Sequence, residues 1–387
     1  MTPCRGNKIS IAITTIVSAR NIILKFEKLK MFQNTRREKC TKHVARWFVG
    51  KVPQPPEDYP LELNGTCVAS GDSLTVAYRI DELLYKMSVA VEFNVEMAEA
   101  RCKSAHQMTY YVRLYQGPKH DTTLVEVSRW EDCGVQFCEE RKRILDCAKY
   151  GLLDTKFPVP MQLPILDIQG LEDLYVPLLE EELKQMLEGV FNQLNEPHQD
   201  SQILALNNLA SMTDEQVTHH KTAVRMAKMI LESGELQLKS CFLHSPRKMV
   251  DSLGKRIRNA SLHVLFNIID LVSKDATRTK EENILHTLIS STEHDLFRIE
   301  LIKSLKKDIE AYETSCPHNA CLAIKCLRGI LRCSFALIQG EIVSQDKKSG
   351  TLCAALEQAL LFGRNCHYNL EHEAKSAIQD IIMFQTM

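Results

Sequence analysis

Residues 170–387 carry a helical pattern throughout, and this constrains the fold more than any other feature of the chain. Apolar residues recur at three- and four-residue spacing, and only short polar stretches interrupt them. The segment 320–338 is apolar almost all round. A helix of that kind is enclosed by other helices on most of its surface. The pattern therefore predicts a stacked helical domain over 169–387.

This helical region divides into nine predicted helices. Capping boxes at 213–216 and 279–282 predict two helix starts, because each pairs a threonine with a glutamine or glutamate three residues later. Ser245-Pro246 places a capping residue before a proline at the first helical position. Short connections favour antiparallel neighbours, and the succession is typical of a degenerate solenoid. The predicted helices are 171–194, 200–211, 214–233, 246–273, 281–291, 294–313, 318–343, 351–363 and 369–384.

Residues 70–150 have a different hydrophobic pattern, with a helical face at each end and strand-like alternation between the two ends. Apolar and polar residues alternate at period two, which is typical of half-buried strands. Gly117-Pro118 marks a turn between the second and third strands, so these two are expected to form a hairpin. The pattern predicts a small α+β module with antiparallel strands. The predicted strands are 89–97, 108–114 and 123–130, and the closing helix is 139–150.

The first 50 residues form a basic leader. They hold 11 Lys and Arg against 2 Asp and Glu, about +9, whereas the whole chain carries −1. Such a segment attracts anionic lipid or nucleic acid, or it is simply a solvated tail. Proline-rich stretches at 51–69 and 151–168 are predicted linkers on either side of the module.

The compartment is predicted from cysteine usage and the first 20 residues. Most of the 14 cysteines sit inside helical apolar patterns, as small reduced hydrophobes do, which favours the cytoplasm or nucleus. An apolar run at 9–19 follows two basic residues, so a mitochondrial or secretory leader at 1–20 remains an alternative. This run is too short to span a membrane, and no transmembrane span is predicted.

Two basic groups are the candidate binding residues. Lys325, Arg328 and Arg332 form a cationic stripe, at spacings of three and four, on the otherwise apolar segment 320–338. In a solenoid such a stripe is suited to an anionic peptide, whereas on an ordinary helix it faces solvent. The second group, on helix 246–273, is Arg247, Lys248, Lys255, Arg256 and Arg258.

Ser245 adjoins the second group and precedes a proline, so it is a candidate phosphosite or a simple helix cap.

The sequence predicts neither an enzyme nor a cofactor. Phosphate-binding loops, GxGxxG, HExxH and GxSxG patterns do not occur. Cysteines and histidines come closest to a metal site, but their spacings differ from paired zinc ligands, and core packing or a solvated helix face explains them better. These residues are Cys316, His318, Cys321, Cys326 and Cys333, with Cys133, Cys138 and the pair His219-His220 as weaker candidates.

Two stretches resemble known families. LNEPHQDSQILALNNLASMTDEQ, at 194–216, resembles an armadillo- or HEAT-type repeat segment. The resemblance implies a helical-repeat domain over 170–387 with a groove that binds peptides or proteins. MTYYVRLYQGPKHDTTLVEVSRWEDCGVQFCEERKRILDCA, at 108–148, is similar to the kinase-associated domain that ends AMP-activated-kinase-type chains. That resemblance implies an interaction or acidic-phospholipid platform, although glycine-rich-loop, HRD and DFG motifs of a kinase are missing here.

The expected protein is thus mainly α, with an armadillo/HEAT-like solenoid behind a small α+β module. We expect a non-enzymatic scaffold that binds a protein or peptide partner through its helical groove. One alternative is a regulatory module of a kinase-like system that binds anionic lipid or an intramolecular partner. Another is an all-α enzyme whose site the sequence does not reveal.

Overall fold

Five strands near the start of the described chain form one antiparallel sheet, ordered β1-β5-β4-β3-β2. A computed structural model describes residues 46–50, 52–56, 65–68, 72–105, 107–119, 122–131, 134–151, 180–233, 239, 242–243, 252–279, 295–313, 317–333 and 351–386. The strands are β1 Gly65–Val68, β2 Ala90–Asn94, β3 Glu99–Lys103, β4 Thr109–Gln116 and β5 Thr123–Glu131.

Two helices, α1 (Ser73–Lys86) and α2 (Gly134–Tyr150), share one hydrophobic core with the sheet. The side chains of β4 alternate, so Tyr110, Val112 and Leu114 are fully buried on the core side. Trp47, ahead of β1, is buried in the same core. We call these strands and helices, with residues 46–49, the sheet module.

The small antiparallel α+β unit was predicted, but its strand count was wrong. The predicted strand 89–97 ends as β2 at Asn94, because a turn at 95–98 reverses the chain. In that turn the backbone N–H of Met97 donates to Asn94 Oδ1 at 3.2 Å, and Ala98 adopts a φ of 49°. The chain returns as β3, and β1 pairs with β5 from within the predicted linker 51–69.

In the part of the chain that the structure describes, eight further helices form the helical region. Each lies within or near a predicted helix, so the mainly helical character is confirmed. The predicted helix 281–291 and the segment 334–343 lie outside the described residues. The helices are α3 Glu180–Leu194, α4 Gln199–Met212, α5 His220–Glu232, α6 Ser252–Thr279, α7 Asp295–Glu310, α8 Pro317–Cys333, α9 Thr351–Cys366 and α10 Tyr368–Thr386.

These helices pack in a regular succession. Each odd-numbered helix packs on the helix that follows it, giving the pairs α3–α4, α5–α6, α7–α8 and α9–α10. The second members also contact one another in order, α4 with α6, α6 with α8 and α8 with α10. A single continuous core runs through all eight helices, from Leu183 to Ile381.

Close approach between two of the second members requires a glycine. A Cβ on Gly329 of α8 would lie 2.2 Å from Ile269 Cγ2 of α6, so a larger residue could not fit without movement.

The prediction that the capping box at 213–216 begins a helix is wrong. The Thr213 hydroxyl donates to the Leu209 carbonyl at 2.7 Å, so it closes α4, and α5 begins only at His220.

Across the described part of the chain, no helix combines the length and apolar character that a membrane crossing requires.

Candidate protein-binding surface

Helix α8 is enclosed except along one side. From Asn319 to Leu331 its residues are buried, apart from a narrow stripe of Lys325, Arg328 and Gly329. Arg332 extends the stripe, with its side chain 57% exposed. The three cations predicted to share one side of this helix therefore do so. We call Lys325, Arg328 and Arg332 the α8 stripe.

Helix α10 supplies carboxylates to the stripe. Arg328 Nε donates to Asp380 Oδ2 at 2.8 Å, and its Nη1 donates to Glu373. Arg332 Nη2 lies 3.1 Å from the same Asp380 oxygen. Because Arg328 is paired on two sides and only 15% exposed, it joins α8 to α10. Arg332 is the more accessible guanidinium.

On its other side the stripe meets helix α6. The ammonium of Lys325 lies 5.2 Å from the centre of the Phe266 ring, a cation–π arrangement. Phe266 is partly buried and packs against the core. The α8 stripe therefore contacts an aromatic ring of α6 and two largely buried carboxylates of α10.

Arg258, from the second predicted group, is not part of this surface. Its side chain is 1% exposed, and its Nε donates to Asp308 Oδ2 at 2.9 Å. It also donates to the Phe242 carbonyl and to Ser304 Oγ. Burial raises the pKa of Asp308, and the charge of Arg258 opposes that rise. Arg258 thus links α6 to α7 inside the core, and the prediction that it contacts a ligand is wrong for this position.

Two more residues of that group lie near the start of α6, whereas Arg247 and Lys248 lie outside the described residues. Lys255 and Arg256 are partly exposed on this helix. Ser245, the candidate phosphosite, lies outside the described residues.

Two of the thiols proposed as weak metal candidates, Cys321 and Cys326, are packed in the core. Burial raises the pKa of the Cys321 thiol to about 12, and it raises the pKa of Cys326 as well. His318 Nε2 lies 3.2 Å from the Lys103 carbonyl oxygen. The described residues contain no group of three or more His, Cys, Asp or Glu placed to hold a metal ion. Cys133 and Cys316 fall outside that part of the chain.

The two adjacent histidines at 219–220 stand at a helix start, not in mid-helix as predicted. His219 occupies the capping position of α5, and His220 Nδ1 lies 3.4 Å from Glu215 Oε2. Glu215 also pairs with Lys274 of α6 at 2.5 Å. This group ties the α4–α5 connection to α6.

Sequence reasoning missed Phe266, Glu373 and Asp380. Phe266 resembles any core aromatic until its neighbour is known. Glu373 and Asp380 are seven residues apart, so they share one side of α10, and this spacing was a readable signal.

Comparison with protein-family models gives no match, and none of the curated proteins or solved structures is significantly similar to this chain.

Proposed function

We propose that the protein is a non-enzymatic interaction protein whose helical region binds a protein or peptide segment across the surface of α6, α8 and α10. The packing of helix pairs supports an armadillo/HEAT-like arrangement, because the second helices contact one another in sequence order. In such an arrangement the second helices together form one continuous face.

The observation that carries the proposal is the α8 stripe. Helix α8 is buried on every side except the one that bears Lys325, Arg328 and Arg332. Arg332 is well exposed, and Lys325 is held over an aromatic ring. A partner segment with a carboxylate or phosphate for Arg332 and an apolar side chain for Phe266 fits this chemistry.

A charge-reversal experiment on the full chain tests the proposal. Partners are captured with wild-type protein, and the affinity of each captured partner is then measured for the double variant Lys325→Glu/Arg332→Glu. We expect at least tenfold weaker binding and a loss of its salt dependence. Arg328 is left unchanged because its ion pairs join two helices.

Lys184→Glu is the matched control. Lys184 lies on α3, is half exposed and makes a single helical pair with Glu180. This variant should bind every partner as the wild type does. Unchanged affinities for the double variant would reject the α8 stripe as the contact surface.

A second candidate function is a regulatory module with an intramolecular partner. Contacts between the sheet module and α10 favour it: Tyr85 Oη donates to Glu371 Oε2 at 2.9 Å, and the Asn369 N–H donates to Ser88 Oγ at 2.9 Å. Anionic lipid is the competing ligand for such a module. If the full chain sediments with phosphatidylserine vesicles, anionic lipid is the favoured ligand. If it stays in the supernatant, the intramolecular partner is favoured.

We place this activity in the cytoplasm or nucleus. Eight cysteines, some buried and some exposed, are free in the described part of the chain, which supports a reducing compartment. Buried thiols such as Cys102 and Cys326 behave as small core residues there.

A further inference from the structure

Two buried imidazoles meet where the sheet module contacts the helical region. His318 is the second residue of α8, and His367 immediately precedes α10. They are 4% and 1% exposed. Their ring centres are 4.7 Å apart, in an edge-to-face arrangement. Neither the binding surface nor the core packing of the helices explains this pair.

The hydrogen bonds around the pair fix where each proton lies. The Leu370 backbone N–H donates to His367 Nδ1 at 3.1 Å, so that nitrogen carries no proton. At the other end, His318 Nε2 lies 3.2 Å from the Lys103 carbonyl, which can only accept. Between them, His367 Nε2 and His318 Nδ1 are 3.1 Å apart. The arrangement is satisfied when both rings are neutral with the proton on Nε2.

An added proton breaks this chain wherever it binds. On His367 Nδ1 it would point at the Leu370 N–H, and on His318 Nδ1 it would point at the N–H of His367. Each case sets two donors against each other in a buried site. A charged ring must therefore break its hydrogen bond to the neighbouring donor and move into contact with water.

The charges near the rings also disfavour protonation. Each ring lies at a helix N-terminus, where the helix dipole repels a cation. Burial lowers the pKa of His367 well below its usual range, and His318 and Arg46 lower it further. Arg46 is paired with Asp81 of α1, and this pair also faces Cys366. The two carboxylates on neighbouring elements are engaged elsewhere, Glu371 with Tyr85 and Arg364, and Glu313 with Tyr312.

Further contacts at the same place hold α10 on the sheet module. Ser88 Oγ accepts the Asn369 N–H, and Tyr85 packs edge-on against Tyr368 at 6.2 Å. His367 itself caps the amide of Leu370, three residues further along, at the same helix end. The first turn of α10, the end of β3 and the residues after α1 are thereby tied together at one joint.

We propose that His318 and His367 form a proton-sensitive latch between the sheet module and the helical region. The latch is closed while both rings are neutral, and it opens when His367 takes up a proton. This inference does not depend on the proposed binding surface, because it uses other residues and concerns only the joint.

The direction of the pH dependence follows from linkage. The opened state has an ordinary histidine pKa of about 6.5, whereas the pKa of His367 in the closed state is lower. The opened state therefore binds more protons as the pH falls. The latch is fully stable above pH of about 6.5, and one proton makes opening about tenfold easier for each pH unit below it.

Hydrogen–deuterium exchange on the full chain measures the opening directly. Amides of residues 368–371 and 85–89 are followed from pH 7.5 to 5.0, with rates corrected for intrinsic exchange. The wild type should gain about tenfold in corrected exchange per pH unit below 6.5 at these amides. The core amides of α6 should stay constant. A rise shared equally by all helices, or no rise at the joint, would overturn the latch.

Two variants separate the latch from general acid effects. His367→Asn keeps a capping acceptor for the Leu370 N–H and cannot titrate, so its joint should exchange independently of pH. His372→Asn, on the same helix and 63% exposed, should retain the wild-type rise. The same rise in His367→Asn would reject the proposal.

Nitrogen-15 shifts of the wild-type imidazoles test the proton positions without any variant. At pH 7.5 His367 and His318 should both show a protonated Nε2 and a bare Nδ1. A protonated Nδ1 on either ring at that pH would contradict the proposal, even if the variants failed to fold.

Discussion

The sheet module and the helical region each enclose an aspartate, but they satisfy it differently. Asp81 is fully buried, and its partner Arg46 reaches it from outside the sheet with 18% of its side chain exposed. Asp308 is nearly as deep, but its partner Arg258 is itself only 1% exposed. One pair therefore keeps a path to water, and the other has none. The burial of the cation, more than that of the anion, should decide how much free energy of unfolding is lost when each aspartate is removed.

The largest effect is expected from removing the anion of the deeper pair. Asp308→Ala leaves the Arg258 guanidinium charged and enclosed, which should lower the free energy of unfolding by about 3–5 kcal/mol. Chemical denaturation of the full chain measures this. The double variant Arg258→Met/Asp308→Leu should recover most of the loss, since two packed apolar residues replace the pair. A double variant as unstable as Asp308→Ala would break the comparison.

The equivalent change in the sheet module should cost less. Asp81→Ala removes hydrogen bonds from Arg46 Nε at 3.0 Å and from its backbone N–H at 2.8 Å. Because Arg46 can turn to water, we expect a loss of about 2–3 kcal/mol. This loss of stability should be measured in the sheet module itself, for example by hydrogen exchange of the β4 amides. A loss larger than that of Asp308→Ala would reverse the order argued here.

The joint between the two regions should respond more weakly still. Ser88→Ala removes the hydroxyl that accepts the Asn369 N–H, and losing such a cap costs about 1 kcal/mol. Ser88 also has a φ of 57°, a left-handed conformation that glycine adopts freely. Ser88→Gly should therefore be less destabilising than Ser88→Ala in thermal unfolding. Equal losses would mean that the hydroxyl alone matters.

The smallest effect is expected at the exposed end of the α8 stripe. Arg332→Ala should change stability by no more than about 0.5 kcal/mol, because the guanidinium is largely hydrated and its partner Asp380 keeps Arg328. Denaturation at low and high salt checks this. A loss above 1 kcal/mol would give Arg332 a structural role and weaken its assignment to binding.

Helices were easier to predict than strands, for a physical reason. The predicted helices 200–211 and 351–363 lie within three residues of α4 and α9, because helical periodicity continues as long as one face is buried. Strand β3, with the sequence EARCK, has charged residues on its outer face and only small ones inside. It carries too little hydrophobic contrast to be recognised. The turn at 95–98 continues the alternation of β2 by accident.

The candidate surface could be predicted only in part. The helical spacing of Lys325, Arg328 and Arg332 placed them on one side of α8, but their pairing with α10 depends on a contact 45–52 residues away. For Arg258, the helical spacing already argued against a shared binding surface with Arg256. Arg256 and Arg258 are two residues apart on one helix, about 200° around the axis, so they could not share a surface. Charge alone does not distinguish a solvated guanidinium from an enclosed one.

The edge of the sheet at β2 limits how far the chain can be shortened from its N-terminal side. In the described structure β2 has a neighbouring strand only on its β3 side. Trp47 stacks on Phe93 of that strand at 5.5 Å, with Arg46 over the same ring at 5.4 Å. A chain trimmed to begin at residue 51 would uncover Phe93 beside an unpaired edge. Such an edge can pair with the same edge of another molecule. The trimmed protein should therefore aggregate under conditions in which the longer protein stays in solution.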